Sequence, residues 1–176
     1  FLRFSYTKEV KLTKTPVKNQ VVCSVDLGIN TDAVCTIMRA DGTVLGRKFI
    51  NFPSEKDRMY RTLGRIRKFQ REHGPAQAGG RWAYTKRLNT ELGRKIAGAV
   101  AAYVEENHAD VIVFEYLEMQ GKISGKNKQK LHLWRKREIQ KRCGHQAHRK
   151  GIRVSRVCAW NTSRLAYDGS GQVHRG

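Results

Sequence analysis

The sequence predicts an α/β domain on a mixed sheet of about five strands, with three antiparallel strands first and helices on the flanks. Three observations predict it. Three short strand-like runs within 21–50 are joined by connections too short for anything but antiparallel neighbours. Two long stretches with helical apolar spacing follow. A second continuous apolar run, 111–114, comes after them, and a helical crossover makes such a strand parallel to the first sheet.

Residues 1–20 alternate apolar and basic residues before reaching Pro16. Leu2-Arg3-Phe4-Ser5-Tyr6 reads as an edge strand, and the whole stretch as the end of a preceding domain with its linker. The main domain is expected over 21–176. Val21–Asp26 is a short apolar strand ending in a carboxylate, and Leu27-Gly28-Ile29-Asn30 turns the chain. Ala33–Arg39 reads as the second strand, Asp41-Gly42 as a hairpin turn and 43–50 as the third strand.

The first helix, 56–72, places Met59, Leu63 and Ile66 on one face and Arg58, Arg61, Arg65 and Lys68 on the other. His73-Gly74-Pro75 ends it, and 76–80 is expected as a flexible loop. The second helix, 85–107, repeats Leu88, Leu92, Ile96, Val100 and Tyr103. Strand 109–116 carries Val111-Ile112-Val113-Phe114 and again ends in an acid, Glu115. A basic loop (121–130), a third helix (131–150) and a fifth strand (152–157) complete the order β-β-β-α-α-β-α-β. Leu131, Trp134, Ile139 and Cys143 fall loosely on one face of the third helix.

Charge narrows the function. The 176 residues carry 35 Lys and Arg against 15 Asp and Glu, a formal charge of +20. A folded domain repels itself at that charge unless an anion neutralises it, and nucleic acid gains affinity by releasing its counterions to such a surface. A solubilising surface or a membrane-surface binder is the alternative. Against the first, residues 122–153 hold twelve Lys and Arg opposed only by Glu138. No signal peptide appears and no apolar run approaches the ~20 residues of a membrane span, so a cytoplasmic, reducing compartment without membrane contact is expected.

The four cysteines, Cys23, Cys35, Cys143 and Cys158, are scattered and form no Cys-x-x-Cys pair. Cys23 and Cys158 lie in apolar runs and read as small buried hydrophobes, and no disulfide framework is expected. Cys143, His145 and His148 do not share a helical face, so no zinc site is expected there.

Two apolar strands each end in an acid, Asp26 and Glu115. Ligands of open α/β sheets bind beyond the carboxyl ends of strands. Neighbouring carboxylates repel unless a cation sits between them or one is protonated. Oxygen donors suit Mg²⁺, and two such ions about 3.5–4 Å apart activate water and stabilise the leaving oxygen in phosphodiester cleavage. Capping a helix or pairing with an arginine is the structural alternative for either acid.

At this point the residues resemble a known family. Ser24-Val25-Asp26-Leu27-Gly28-Ile29-Asn30 resembles the first RuvC motif of type V CRISPR effector nucleases and of the insertion-sequence protein TnpB. Val111-Ile112-Val113-Phe114-Glu115-Tyr116-Leu117 resembles the second. Helix 131–150 with Gly151-Ile152-Arg153-Val154 and Asn161-Thr162-Ser163 resembles the segment leading into the third. The likeness spans roughly 20–170, in three ordered motifs. It implies an RNase H-like (RuvC) fold and RNA-guided, Mg²⁺- or Mn²⁺-dependent cleavage of DNA in a prokaryotic cytoplasm. It implies guide RNA, target DNA and other domains of the same effector as partners. Asp26 matches the first catalytic and metal-binding Asp, and Glu115 the catalytic and metal-binding Glu.

The chain departs from that pattern twice. Many relatives carry a cysteine zinc ribbon after the Thr-Ser; here Thr162-Ser163-Arg164-Leu165-Ala166-Tyr167-Asp168-Gly169-Ser170-Gly171 offers no thiolate pair. The family's third Asp lies further on than this sequence extends, and Asp168 sits in what reads more simply as a turn. The domain is therefore expected to be C-terminally incomplete, part of a longer protein, and inactive by itself.

Arg61, Arg65, Lys68, Lys126, Lys128, Lys130, Arg135, Arg137, Lys141 and Arg142 are expected to hold a nucleic-acid backbone. Trp134 either stacks on a base or sits in the core. Trp82 and Tyr84, read as part of a Gly-rich loop, stack on nucleic acid or dock another domain. Beside the nuclease reading stand two others: a guide-RNA-directed DNA-binding protein whose degenerate RuvC site binds without cutting, and a RuvC-like resolvase or transposase of another system.

Overall fold

The computed structural model describes residues 2–116 and 136–158. Strands β1 (Val21–Asp26), β2 (Ala33–Arg39) and β3 (Val44–Ile50) come first. Helix α1 (Pro53–His73) runs through a 3₁₀ turn, Pro75–Ala78, into α2 (Gly79–Glu106). Then follow β4 (Val111–Tyr116), α3 (Lys136–Arg149) and β5 (Arg153–Cys158). The sheet order is β3-β2-β1-β4-β5. β1 pairs antiparallel with β2, and β2 with β3. β4 joins β1 in parallel and β5 joins β4 in parallel. This is the expected α/β architecture.

Alternation along the strands builds the core. Cys23 and Val25 of β1, Cys35 and Ile37 of β2, and Ile112 and Phe114 of β4 are buried. They form one cluster with Leu92, Ile96, Val100 and Val104 of α2 and Ile139 and Cys143 of α3. Each large side chain so buried contributes about 1.5–3 kcal/mol. The intervening residues, Val22, Ser24, Val34, Thr36 and Val113, are half-buried on the other face.

α1 packs on the N-terminal half of α2 rather than on the sheet. Leu63 and Ile66 are buried, yet both stand outside the cluster around the sheet. The two helices are antiparallel: Lys95 pairs with Glu55 near one end, and Arg81 stacks over the Phe69 ring at 4.3 Å near the other. With 21 residues, α1 forms an arm roughly 30 Å long.

The start of the sheet is tied down by Asp110. Its carboxylate accepts hydrogen bonds from the Thr15 hydroxyl (2.6 Å) and the Val21 N–H (2.9 Å), and its own N–H donates to the Val21 carbonyl. The Thr13 N–H donates to the Gly151 carbonyl at 2.8 Å. Gly151 has φ +79, and a Cβ there would stand 2.8 Å from the Lys11 carbonyl oxygen, so only glycine allows this approach.

Local readings change in four places. α1 begins at Pro53 rather than 56, because proline at the first helical position presets φ and gives up only an N–H that has no partner there. Residues 76–80 are not a loop but the 3₁₀ turn and the start of α2, so Trp82 and Tyr84 are helical. Residues 2–6 form no strand; Leu2, Phe4 and Tyr6 are exposed, and a strand needs a ladder partner. Cys158 is exposed, because β5 is the outermost strand and its Val157 is also open to solvent. The stretch 131–135 of the third helix lies outside the described residues. No helix among the described residues is long and apolar enough to cross a membrane.

The cysteines give a direct test of the packing. Cys23, Cys35 and Cys143 are buried. The hydrogen bond with Cys35 and then burial push the Cys23 thiol upward, and burial pushes the Cys143 thiol up to about 12. Because the thiolate is the nucleophile, Cys23 and Cys143 resist thiol reagents; the hydrogen bond with Cys23 lowers the Cys35 thiol, which burial alone shields. In the native protein a thiol-reactive disulfide reagent is expected to label Cys158 rapidly and the other three only after denaturation. Rapid native labelling of three or more would contradict this core.

Candidate functional site

β1 and β4 deliver their acids to one place. The register pairs Val22 with Val111, Cys23 with Ile112, Ser24 with Val113 and Val25 with Phe114. One residue further on each strand stand Asp26 and Glu115, side by side at the carboxyl ends of adjacent parallel strands. Strand alternation turns both toward the face opposite the buried Val25 and Phe114. Asp26 is exposed and makes no ion pair among the described residues.

Glu115 is engaged. Its Oε2 lies 3.2 Å from Lys136 Nζ in the first turn of α3, and the Lys136 side chain is only 10% exposed. Gln140, one turn on, donates from Nε2 to the Glu115 carbonyl oxygen at 3.0 Å.

The loop after Asp26 is fixed by sterics and by one lysine. A Cβ on Gly28 would fall 2.6 Å from the Thr31 carbonyl oxygen, so the chain closes here only with glycine. Lys56 Nζ lies 3.0 Å from Asp32 Oδ1 and donates to the Asn30 carbonyl (2.6 Å) and to Asn51 Oδ1 (2.8 Å). Asp32, 5% exposed, also accepts the Phe52 N–H at the start of α1 (2.7 Å). Asp32, Lys56, Lys136 and Gln140 thus support the two acids, and sequence reading missed all four. Apart from Asn51, their partners lie 20 or more residues away, and no local periodicity marks such contacts.

The two acids supply oxygen donors of the kind Mg²⁺ prefers. A divalent ion at Glu115 would compete with the Lys136 ammonium. Among the described residues no group of three His, Cys, Asp or Glu side chains converges as a metal site. Asp168 lies outside the described residues.

The expected backbone contacts fall into groups. Arg61, Arg65 and Lys68 are exposed on α1, with Lys68 at 4.0 Å from Glu72. Arg137 and Lys141 are exposed on α3. Arg142 is instead held by Glu138 one turn earlier, at 2.8 Å, so its charge is partly spent within the helix. Lys126, Lys128, Lys130, Trp134 and Arg135 lie outside the described residues.

No protein-family model matches the chain, and no curated protein matches it. Solved structures do. A cryo-EM structure of a Cas12f1–sgRNA–target DNA complex is similar over 87% of this chain, at TM-score 0.67 and 19% identity. A cryo-EM structure of a CRISPR-Cas12f ternary complex is similar over 96%, at TM-score 0.63 and 20% identity. At this identity the likeness shows a shared fold. The chain spans 39% and 33% of those two chains. The mixed sheet of five strands with flanking helices is consistent with an RNase H-like fold.

Proposed function

We propose that this chain is the RuvC-type nuclease domain of an RNA-guided DNA endonuclease of the type V CRISPR kind. The observation that carries the reading is the β1–β4 register, which sets Asp26 beside Glu115 at the carboxyl ends of adjacent strands. The fold shared with Cas12f1 and the charge of +20 support it. Guide RNA and target DNA are the partners this reading takes from those complexes.

In this scheme Asp26 and Glu115 would hold Mg²⁺ or Mn²⁺, which would supply an activated water and neutralise charge developing on the phosphate. Asp26 presents an exposed carboxylate to the incoming strand. Lys136, when displaced from Glu115, would offer an ammonium to a phosphate oxygen. Gln140 fixes the backbone that carries Glu115. The TnpB-like relationship and a prokaryotic cytoplasmic location belong to the same proposal.

The second reading, a guided binder that does not cut, is favoured by one observation: Glu115 is already neutralised by Lys136. The full chain with its guide RNA and Mg²⁺ separates the two. Cleavage of matched target DNA, abolished by a chelator and restored by added Mg²⁺, is expected. Tight guided binding with no cleavage at any Mg²⁺ concentration would replace the first reading with the second.

A further inference from the structure

α1 and α2 enclose a cationic groove. One cavity of about 420 Å³ is lined by Arg58, Arg61, Arg65 and Tyr84. A second, of about 250 Å³, shares Arg65 and Tyr84 and adds Arg81. Arg87 completes the set, lying against the Tyr84 ring at 5.9 Å. These five arginines are exposed, and none forms an ion pair among the described residues. By contrast, exposed Arg94 and Lys95 further down α2 both have glutamates.

The groove is organised around its tyrosine. Arg58 Nη2 donates to Tyr84 Oη at 2.7 Å, and the guanidiniums of Arg58 and Arg87 both stand 5.9 Å from the Tyr84 ring centre. Arg81 is steadied in the same way over Phe69. Aromatic stacking leaves the guanidinium edges free to donate in the forked geometry that suits phosphate oxygens. Five like charges brought together without counter-ions repel one another, and a polyanion relieves that repulsion.

We propose that the α1–α2 groove is a binding site for the phosphodiester backbone of a single nucleic-acid strand, separate from the Asp26–Glu115 site. The groove runs along the surface of the packed helix pair, and its two cavities, about 420 and 250 Å³, match the bulk of one strand's backbone units and not of a duplex. The arm begins directly after β3, whose last residue, Ile50, pairs with Ala33 just beyond the Asp26 loop. The groove therefore starts from the carboxylate end of the sheet, where it can lead a strand toward or away from the acids. The proposal rests on the nucleic-acid half of the function proposed above and not on cleavage.

The test is fluorescence anisotropy of the full chain in a chelating buffer, which removes any dependence on metal or cutting. The probes are labelled oligo-dT, oligo-rU and a duplex of the same length. The triple variant Arg58→Gln/Arg65→Gln/Arg87→Gln is compared with a charge-matched control, Lys8→Gln/Lys14→Gln/Lys18→Gln. The groove triple is expected to weaken single-strand binding by about tenfold or more and to flatten its salt dependence by about two log units per log unit of salt, while the control changes it less than about threefold. Preference for the dT or the rU probe shows whether the groove takes DNA or RNA. Equal losses in the two triples, or a loss confined to the duplex, would overturn the proposal. Thermal unfolding of both triples checks the fold, and Tyr84→Phe, which keeps the ring but drops the Arg58 hydrogen bond, is expected to give a smaller loss in the same direction. Binding is read in chelating buffer and cleavage only with Mg²⁺ restored, so failure of the groove and failure of the nuclease reading are told apart.

Discussion

Asp26→Ala is expected to lower guide-directed cleavage of target DNA on the order of 10³-fold, or about 4 kcal/mol of transition-state stabilisation. The argument is positional. Asp26 is the exposed acid of the pair, with no described partner to release before it can take a cation. Its backbone is fixed by the β1–β2 and β1–β4 ladders, so truncation removes oxygen donors with little structural cost. Affinity for guide and target should change by less than about threefold, because phosphate contacts carry binding and this carboxylate carries none. Glu115→Gln should also stop cleavage, but with some loss of stability, since Lys136 loses its carboxylate partner. Full-length cleavage assays at several Mg²⁺ concentrations decide the matter. Near-wild-type cutting by Asp26→Ala would remove this acid from the mechanism.

Asp32→Ala is expected to destabilise the fold by about 3–5 kcal/mol, the cost of leaving a largely buried charge without its counter-charge. Lys56 would keep only the neutral oxygens of Asn30 and Asn51. The Phe52 N–H would lose its acceptor at the point where the sheet passes into α1. Urea unfolding of Asp32→Ala, Lys56→Met and the double variant provides the check. The double variant should lose markedly less than the sum of the singles, because one broken pair accounts for most of each loss. Strict additivity would show that the Asp32–Lys56 contact is not a stabilising unit.

Strand order, the helical hairpin and the pairing of Asp26 with Glu115 were legible, because they rest on period-two and period-3.6 patterns and on connection lengths. Val-Val-Cys-Ser-Val-Asp and Val-Ile-Val-Phe-Glu announce buried strands ending in acids wherever they occur. Lys136 was legible only as one more member of a basic run. Nothing local distinguishes it from exposed Arg137, yet the helix turns one toward Glu115 and the other toward solvent. Asp32 likewise reads as an ordinary loop acid, since its partner is 24 positions away. Gly79-Gly80 signals a break and places Tyr84 in a loop, but the 3₁₀ turn before it feeds straight into α2. The arginines of α1 were visible as a face, but the groove needs Arg81 and Arg87 from the other helix.

The sheet order carries a consequence for how the chain acquires its shape. β1, β2 and β3 are neighbours in sequence and can zip together as soon as residue 50 has been made. The other edge of β1 must wait for β4, more than 80 residues later. Throughout synthesis of α1 and α2 that edge exposes the unpaired N–H and C=O groups of the apolar strand Val21–Asp26, a template for pairing with the wrong chain. The long hairpin is thus also a delay line: slowing translation between positions 50 and 111 should raise aggregation of nascent chains, whereas slowing it after 158, once β4 and β5 can both dock, should not.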